Sequence, residues 1–243
     1  MLRLENVNAY YGKSHIIQDV SLEIQQNEVV GLLGRNGVGK TTLLRSILGL
    51  YPPKKTGRIH LNGQDISSLP SYKIAELGIG YVPQGRRIFP HLSVYENLSI
   101  CCRSTPTSSQ LDEIFTYFPV LKEKLSERGG SLSGGQQQML AIARAIMPGP
   151  HLLLIDEPTE GLQPSIVKSV RETIKQLRHE GITILLADQN LDNVIELCDT
   201  VYVIEKGSIR IRETKENLNI QVLHDYLGVT RKKDRCAPGA TQA

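Results

Sequence analysis

Apolar and polar residues alternate from Leu2 to Val7 and again through Val20-Ser21-Leu22-Glu23-Ile24, the period of a strand with one covered face. Gln26-Asn27 turns the chain into the apolar run Val29-Val30-Gly31-Leu32-Leu33, which predicts a strand buried on both faces. From Thr42 to Leu48 the spacing becomes helical. Pro52 to Gly57 reads as a loop, Arg58-Ile59-His60-Leu61 with Asn62-Gly63 as a strand and tight turn, and Gly78 to Pro83 as a strand stopped by proline.

Beyond about Arg86 the texture is helical, in four stretches: Val94 to Cys102, Leu111 to Phe115, Leu121 to Leu125, and Gln136 to Met147. The polar run Thr105-Pro106-Thr107-Ser108-Ser109 reads as a hinge or loop between them. Strand patterning resumes at His151-Leu152-Leu153-Leu154-Ile155, followed by a helix from Pro164 to Glu180 that Gly181 ends as a C-cap. Ile182 to Ala187 and Thr200 to Ile204 are two further buried strands. Strands alternating with helices predict a doubly wound α/β sheet, mainly parallel. The expected organisation is a core of residues 1–85 and 150–230, opening with an antiparallel β part, a helical lobe inserted at 86–149, and a flexible tail at 231–243. The basic Arg231-Lys232-Lys233 in that tail reads as a solvated terminus.

Composition narrows the classes. A length of 243 residues is enough for a substantial core, as one large domain or a domain with an inserted lobe, and a net charge of +3 is too small to argue for a nucleic-acid partner. Cys101, Cys102, Cys198 and Cys236 show no C-x-x-C and no metal-like spacing, which predicts reduced thiols in a reducing compartment. No apolar run approaches a membrane span, and the first residues lack a signal-peptide pattern, so membrane association is expected to run through a protein partner.

Chemistry enters at Gly34-Arg35-Asn36-Gly37-Val38-Gly39-Lys40-Thr41-Thr42, between the strand at 29–33 and the helix that follows. Strand, glycine loop, Lys-Thr and helix is the context of a phosphate-binding P-loop. Glycines allow the tight bend that turns successive N–H groups inward, and the helix N-terminus adds positive potential there. Lys40 would supply a point charge on the β/γ-phosphates of a nucleotide, and the Thr41 hydroxyl a ligand for Mg²⁺. The plainer alternative, a glycine-rich turn that binds nothing, does not need the Lys-Thr. Asp156 and Glu157 close the buried strand at 151–155, where α/β sheets place ligands. Asp156 would complete the Mg²⁺ site and Glu157 would orient or deprotonate the attacking water, the alternative being an acidic helix cap.

Leu132-Ser133-Gly134-Gly135-Gln136 precedes the last lobe helix. With this stretch the motifs resemble the nucleotide-binding subunits of ATP-binding cassette (ABC) transporters, from the start of the chain to about residue 215. That resemblance implies that Ser133, Gly134, Gly135 and Gln136 bind the γ-phosphate of an ATP held by a second ATP-binding subunit, identical or paralogous, in a head-to-tail dimer. It implies that Tyr11 stacks on adenine, and that Gln84 senses Mg²⁺ and the γ-phosphate. Tyr95-Glu96-Asn97-Leu98 resembles the family's Glu-Asn-Leu stretch. Arg86 and Arg87 read either as part of a groove for a membrane subunit or as a solvated pair. The implied partners are two transmembrane permease subunits and, through them, a periplasmic solute-binding protein, with the chain at the cytoplasmic face of the inner membrane.

Two positions depart from the family pattern. Gln189 stands where a histidine contacting the γ-phosphate is usual, and it can donate a hydrogen bond without carrying charge. Glu160-Gly161-Leu162-Gln163-Pro164 lacks the usual aspartate at Gln163. Both features resemble the ATPases of branched-chain amino acid and urea importers. Gly34–Val38, Pro83-Gln84-Gly85-Arg86 and Glu160–Ser165 look most like the urea member, so urea uptake is the expectation and branched-chain amino acid uptake the alternative. A soluble cassette ATPase acting on nucleic acid or ribosomes would be expected to carry a long coiled coil or a second cassette. A P-loop kinase has no use for Leu-Ser-Gly-Gly-Gln.

Overall fold

The computed structural model describes residues 1–227, so the tail at 231–243, with its basic run and Cys236, lies outside the described residues. The chain opens with β1 (Leu2–Tyr11), β2 (Ser14–Ile24), β3 (Val29–Leu33), α1 (Lys40–Ile47), β4 (Lys54–Leu61), β5 (Gln64–Asp65), α2 (Ser71–Glu76) and β6 (Ile79–Val82). Four helices follow: α3 (Val94–Ser99), α4 (Ser108–Tyr117), α5 (Pro119–Glu123) and α6 (Gly134–Ile146). The chain then runs through β7 (Leu152–Asp156), α7 (Pro164–His179), β8 (Thr183–Asp188), α8 (Leu191–Leu197), β9 (Thr200–Glu205), β10 (Ser208–Thr214) and α9 (Ile220–Leu227).

The strands form two sheets. One has four strands in the antiparallel order β2-β1-β4-β5, and the other six in the order β10-β9-β3-β8-β7-β6. In the second, β9, β3, β8, β7 and β6 are parallel neighbours and β10 is an antiparallel edge. β3, β7 and β8 are buried at every position, as strands covered on both faces must be. Their side chains divide by parity: Leu152 and Leu154 enter one core with Leu43, Leu44 and Ile47 of α1, while Leu153 and Ile155 enter another with Ile142 of α6 and Val170 and Ile174 of α7. The first core is closed from outside by Leu2, Leu4, Ile17 and Val20 of the antiparallel sheet, so α1 lies between the two sheets. The second continues without a break into Val94, Leu98, Phe115, Phe118 and Leu121 of α3–α5. The α/β class, the antiparallel opening and the mainly parallel sheet are as expected.

Several local expectations change. The predicted loop at 52–57 is a strand from Lys54, because Lys54, Lys55 and Thr56 pair with Tyr10, Ala9 and Asn8 of β1. The β1 partner likewise draws β2 back to Ser14. The expected hinge at Thr105–Ser109 instead starts a helix. Thr107 caps α4, its Oγ1 accepting from Gln110 N, with Gln110 Oε1 accepting from Thr107 N in return. α2, α8, α9 and β10 have no counterpart among the expected elements. Cys101, Cys102 and Cys198 are free thiols, and among the described residues no helix is long and apolar enough to cross a membrane.

Candidate nucleotide site

The loop between β3 and α1 is hung from its neighbours by backbone contacts. Gly34 N donates to Asp188 O at the end of β8, and a Cβ on Gly34 would stand 2.7 Å from the carbonyl oxygen of Ile204. Gly39 caps α1 at φ +113°, in a region that L side chains rarely adopt, and a Cβ there would meet Ile17 Cδ1 at 2.6 Å. These two glycines let the loop close against the sheet.

Lys40 opens α1 and is almost fully buried. Its Nζ donates to Gly34 O at 2.7 Å and Arg35 O at 3.1 Å, and forms an ion pair with Glu157 Oε1 at 2.9 Å. The side chains of Lys40 and Glu157 are only 4% and 5% exposed, so little solvent screens them from each other. Next to this pair, Thr41 Oγ1 donates to Asp156 Oδ2 at 2.6 Å. Asp156 Oδ1 is buried and has no partner. Burial, with the neighbouring Glu157 charge, pushes the Asp156 carboxyl up to about 6 against the Thr41 hydrogen bond and the Lys40 charge. An unpartnered carboxylate oxygen beside a threonine hydroxyl is a hard-oxygen donor set, and it fits Mg²⁺, which takes one or two carboxylates and completes its shell with phosphate and water. Among the described residues there is no cluster of three or more His, Cys, Asp or Glu that could hold a metal ion.

Glu157 follows β7 at φ +46°, a conformation that costs a non-glycine residue about 1–3 kcal/mol and is held here by Glu157 N donating to Ala187 O of β8. Gln84, just past β6, donates from Nε2 to Glu157 Oε2 at 3.3 Å and to Glu160 Oε2 at 2.8 Å. Glu157 therefore has one oxygen on Lys40 and the other on Gln84.

Two open clefts of about 570 Å³ each meet at Asn36 and Glu157. The first is lined by Gly37, Gly39, Lys40, Thr41, Thr42 and Gln84, with Tyr11 at its edge. Tyr10, the other aromatic at the end of β1, is stacked on His15 with ring centroids 4.3 Å apart, which leaves Tyr11 as the exposed ring beside the loop. The second cleft is lined by Arg35, Thr159, Glu160, Gly161, Asp188 and Gln189. Val38 backs the loop from the core side, near Gly34.

Neither cleft includes Ser133, Gly134, Gly135 or Gln136. These four residues start α6, with Ser133 as N-cap: Gln136 Oε1 accepts from Ser133 N at 3.0 Å, and Ser133 Oγ accepts from Gln136 N at 3.4 Å. The two glycines also have a packing role. A Cβ on Gly134 would stand 2.7 Å from Arg86 Nη1, and one on Gly135 would stand 2.8 Å from Ile166 Cγ1 of α7. Arg86 thus lies on the N-terminus of α6 and reaches Gln137 Oε1 at 3.4 Å, rather than standing free as a solvated pair with Arg87. It does so from a backbone turn of three successive left-handed residues, Gly85, Arg86 and Arg87. Glu160 and Asn193 are two site neighbours that sequence reasoning missed. Glu160 enters the sequence reading only as part of the segment 160–165, with no role of its own, and Asn193 sits on a helix that the pattern does not announce.

The assembled groups can take an anion at the α1 N-terminus, hold a hard cation at Thr41 and Asp156, and present a carboxylate to water. Known proteins resemble this chain in sequence and fold. The sequence model of the ABC transporter family matches residues 17–160. A high-affinity branched-chain amino acid transport ATP-binding protein, BraG of Pseudomonas aeruginosa, is 43% identical over 233 residues, covering 94% of this chain and all of that relative. The lipopolysaccharide export system ATP-binding protein LptB of Haemophilus influenzae is 37% identical over 238 residues, covering 94% of this chain and 97% of the relative. Among solved structures, cbiO1 of Clostridium perfringens, part of the ABC transporter complex cbiONQ, superposes with a TM-score of 0.77 at 28% identity, covering 93% of this chain and 92% of that one. The ADP conformation of MJ1267, an ATP-binding cassette of an ABC transporter, gives 0.76 at 26% identity, covering 94% of each. The chain belongs to the ABC transporter family and is an ATP-binding subunit of that family, an ATPase.

Proposed function

We propose that this chain drives the import of branched-chain amino acids by hydrolysing ATP at the cytoplasmic face of the inner membrane. The observation that carries the ATPase half is the buried Lys40–Glu157 pair between the glycine loop and the unpartnered Asp156 oxygen. The cargo rests on likeness. BraG, and a probable branched-chain amino acid transport ATP-binding protein LivF of Archaeoglobus fulgidus at 37% identity over 222 residues, support this reading over urea, the expectation drawn from short sequence segments. In this reading the core of residues 1–85 and 150–230 holds the nucleotide, and the lobe at 86–149 carries Ser133–Gln136 to a second ATP-binding subunit. Two permease subunits and a periplasmic solute-binding protein complete the importer. That Ser133–Gln136 line neither cleft supports a site finished by a partner's copy of the stretch.

The mechanism follows from charge. Phosphates of ATP entering the loop bring negative charge to Lys40, which moves from Glu157 onto the β- and γ-phosphate oxygens. Glu157, released on that side, accepts a proton from the attacking water as the new P–O bond forms and ADP leaves. Thr41 and Asp156 would hold Mg²⁺, with Gln84 beside them; when bound, the ion neutralises charge on the phosphate oxygens. Gln189 donates its amide to the γ-phosphate, and Tyr11 covers the adenine face. Binding would close the dimer by supplying contacts that neither half has alone, and hydrolysis would remove them.

Deleting the gene and measuring uptake of labelled leucine and labelled urea side by side tests the cargo. Leucine uptake should fall while urea uptake holds; loss of urea uptake alone would return the assignment to urea and leave the ATPase reading intact.

A further inference from the structure

Behind the second cleft, the side chain of Asn193 on α8 is completely buried, at 0% exposure. Its Nδ2 donates to Thr159 Oγ1 at 2.7 Å and to Asp188 Oδ2 at 2.7 Å. Its Oδ1 accepts from Arg171 Nε on α7 at 2.7 Å, and Arg171 is held by Glu196 of α8 at 2.6 Å. The direction of the amide is forced. A guanidinium only donates, so Oδ1 must face Arg171, and both amide protons then point at the two oxygens. Asn190, the N-cap of α8, closes the network: its Oδ1 accepts from Asn193 N at 3.2 Å, and its N donates to Asp188 Oδ1 at 2.8 Å.

The two oxygens that Asn193 joins belong to different segments of the site. Thr159 lies two residues after Glu157, and Asp188 immediately precedes Gln189. Glu157, Thr159, Asp188 and Gln189 all line the same cleft. Burial raises the Asp188 carboxyl above its usual range, while hydrogen bonds from Asn190 and Asn193 act the other way. Asn193 and Asp188, at the centre of this polar knot, are buried, where an unsatisfied group is costly and a satisfied network rigidifies its members, while Thr159 and Arg171 are half-buried at its rim.

We propose that Asn193 is a positioning residue for ATP hydrolysis, tying the loop that bears Glu157 to the strand end that bears Gln189 so that both meet the γ-phosphate as one unit. The inference rests on the roles proposed above for Glu157 and Gln189. Asn193→Asp is the sharpest perturbation. The shape is kept and the Arg171 contact survives, but both donors are lost and two carboxylates face each other where an amide and a carboxylate did. In the paired Asp188→Asn, Asn193→Asp variant, donor and acceptor exchange places. The new carboxylate accepts from Arg171, from the Thr159 hydroxyl and from the new amide, and the tie is restored with its polarity reversed.

The experiment compares wild type, Asn193→Asp, Thr159→Val and the paired variant for ATPase kcat and KM, with a thermal melt to establish folding. Misplacing groups at a reacting centre by about 1 Å costs up to about a hundredfold in rate. Asn193→Asp should therefore lose on the order of tenfold to a hundredfold in kcat with KM for ATP within about twofold, Thr159→Val should fall between it and wild type, and the paired variant should recover most of the loss. Hydrogen exchange of peptides spanning 157–163 and 186–191 reads the tie without reference to hydrolysis. Both peptides should exchange faster in Asn193→Asp and slow again together in the paired variant. A folded Asn193→Asp with wild-type kcat, or a Thr159→Val and a paired variant that leave both peptides and kcat unmoved from wild type and from Asn193→Asp respectively, would overturn the proposal. Rapid turnover by Glu157→Gln would instead sink the catalytic reading, and the exchange data would still decide whether Asn193 joins the two segments.

Discussion

The Lys40–Glu157 pair makes Glu157→Gln a test of two quantities that should move in opposite directions. In the role proposed for Glu157, loss of the carboxylate removes the proton acceptor for water, and general-base catalysis contributes about 10²- to 10⁴-fold, so turnover should fall by that order. Nucleotide affinity should rise. In the wild type, Lys40 leaves a carboxylate 2.9 Å away, in a site where its partner side chain is 5% exposed, before it can serve a phosphate. A hydrogen bond to a charged group is worth about 1.5–3 kcal/mol net. Releasing Lys40 from Glu157 should therefore tighten ATP roughly tenfold to a hundredfold. The sign is reinforced in the nucleotide-free protein, where Lys40 would keep Gly34 O and Arg35 O but lose its counter-ion. The free variant should melt below wild type, and the ATP-bound variant should show the larger thermal shift, because stabilisation grows with the ratio of ligand to Kd. Steady-state phosphate release, equilibrium titration with a fluorescent ATP analogue and melts with and without nucleotide measure all three. Turnover within tenfold of wild type would refute the role of Glu157. Unchanged affinity would refute the competition for Lys40.

Two further outcomes follow from the geometry. Gly135→Ala should destabilise the protein by about 1–3 kcal/mol, as overpacking does, because its Cβ would stand 2.8 Å from Ile166 Cγ1, and Ile166→Ala should relieve most of that loss; melts of the single and paired variants that are simply additive would refute the contact. In the Mg²⁺ site proposed above, the Asp156 carboxyl, pushed up to about 6 mainly by burial, would have to shed its proton before ligating the cation, so proton and cation would compete and affinity weaken as pH falls. The Mg²⁺ concentration for half-maximal ATPase activity should rise about tenfold for each pH unit below about 6, with Asp156→Asn removing that dependence; an unchanged half-maximal concentration across this range would refute it.

Much of the site is legible in the sequence because phosphate chemistry is local. A glycine loop, a lysine and a helix N-terminus within a few residues form an anion nest with whatever scaffold surrounds them. An apolar run ending in Asp-Glu likewise marks a buried strand delivering carboxylates to its C-terminal end, and Asp156 and Glu157 lie there. What lies far apart in sequence is legible only where two motifs point at one ligand. Thr41 and Asp156, 115 positions apart, are both expected at the Mg²⁺ site, but no periodicity announces the direct hydrogen bond between them. The 157–160 turn places Glu160 against Gln84 only once β6 and β7 are paired. Asn193 went unnoticed because α8, at seven residues, is too short to show a helical period, and a buried asparagine reads in sequence as an ordinary surface residue.

Taken alone, the sequence determined the α/β class, the order of buried strands and amphipathic helices, and the residues of the glycine loop, since each depends on side-chain spacing along a few turns or one strand. Tertiary structure alone decided where the strands stop and how the charges pair. β4 begins at Lys54 because β1 offers partners for its backbone, not because of any preference in Pro52–Gly57. Lys40 rests on Glu157 rather than in solvent because the parallel sheet sets the C-terminal ends of β3 and β7 on the same side, flanking β8, and buries both side chains there. Hydrogen-bond partners and counter-ions are properties of a neighbour, and the neighbour is chosen by the fold.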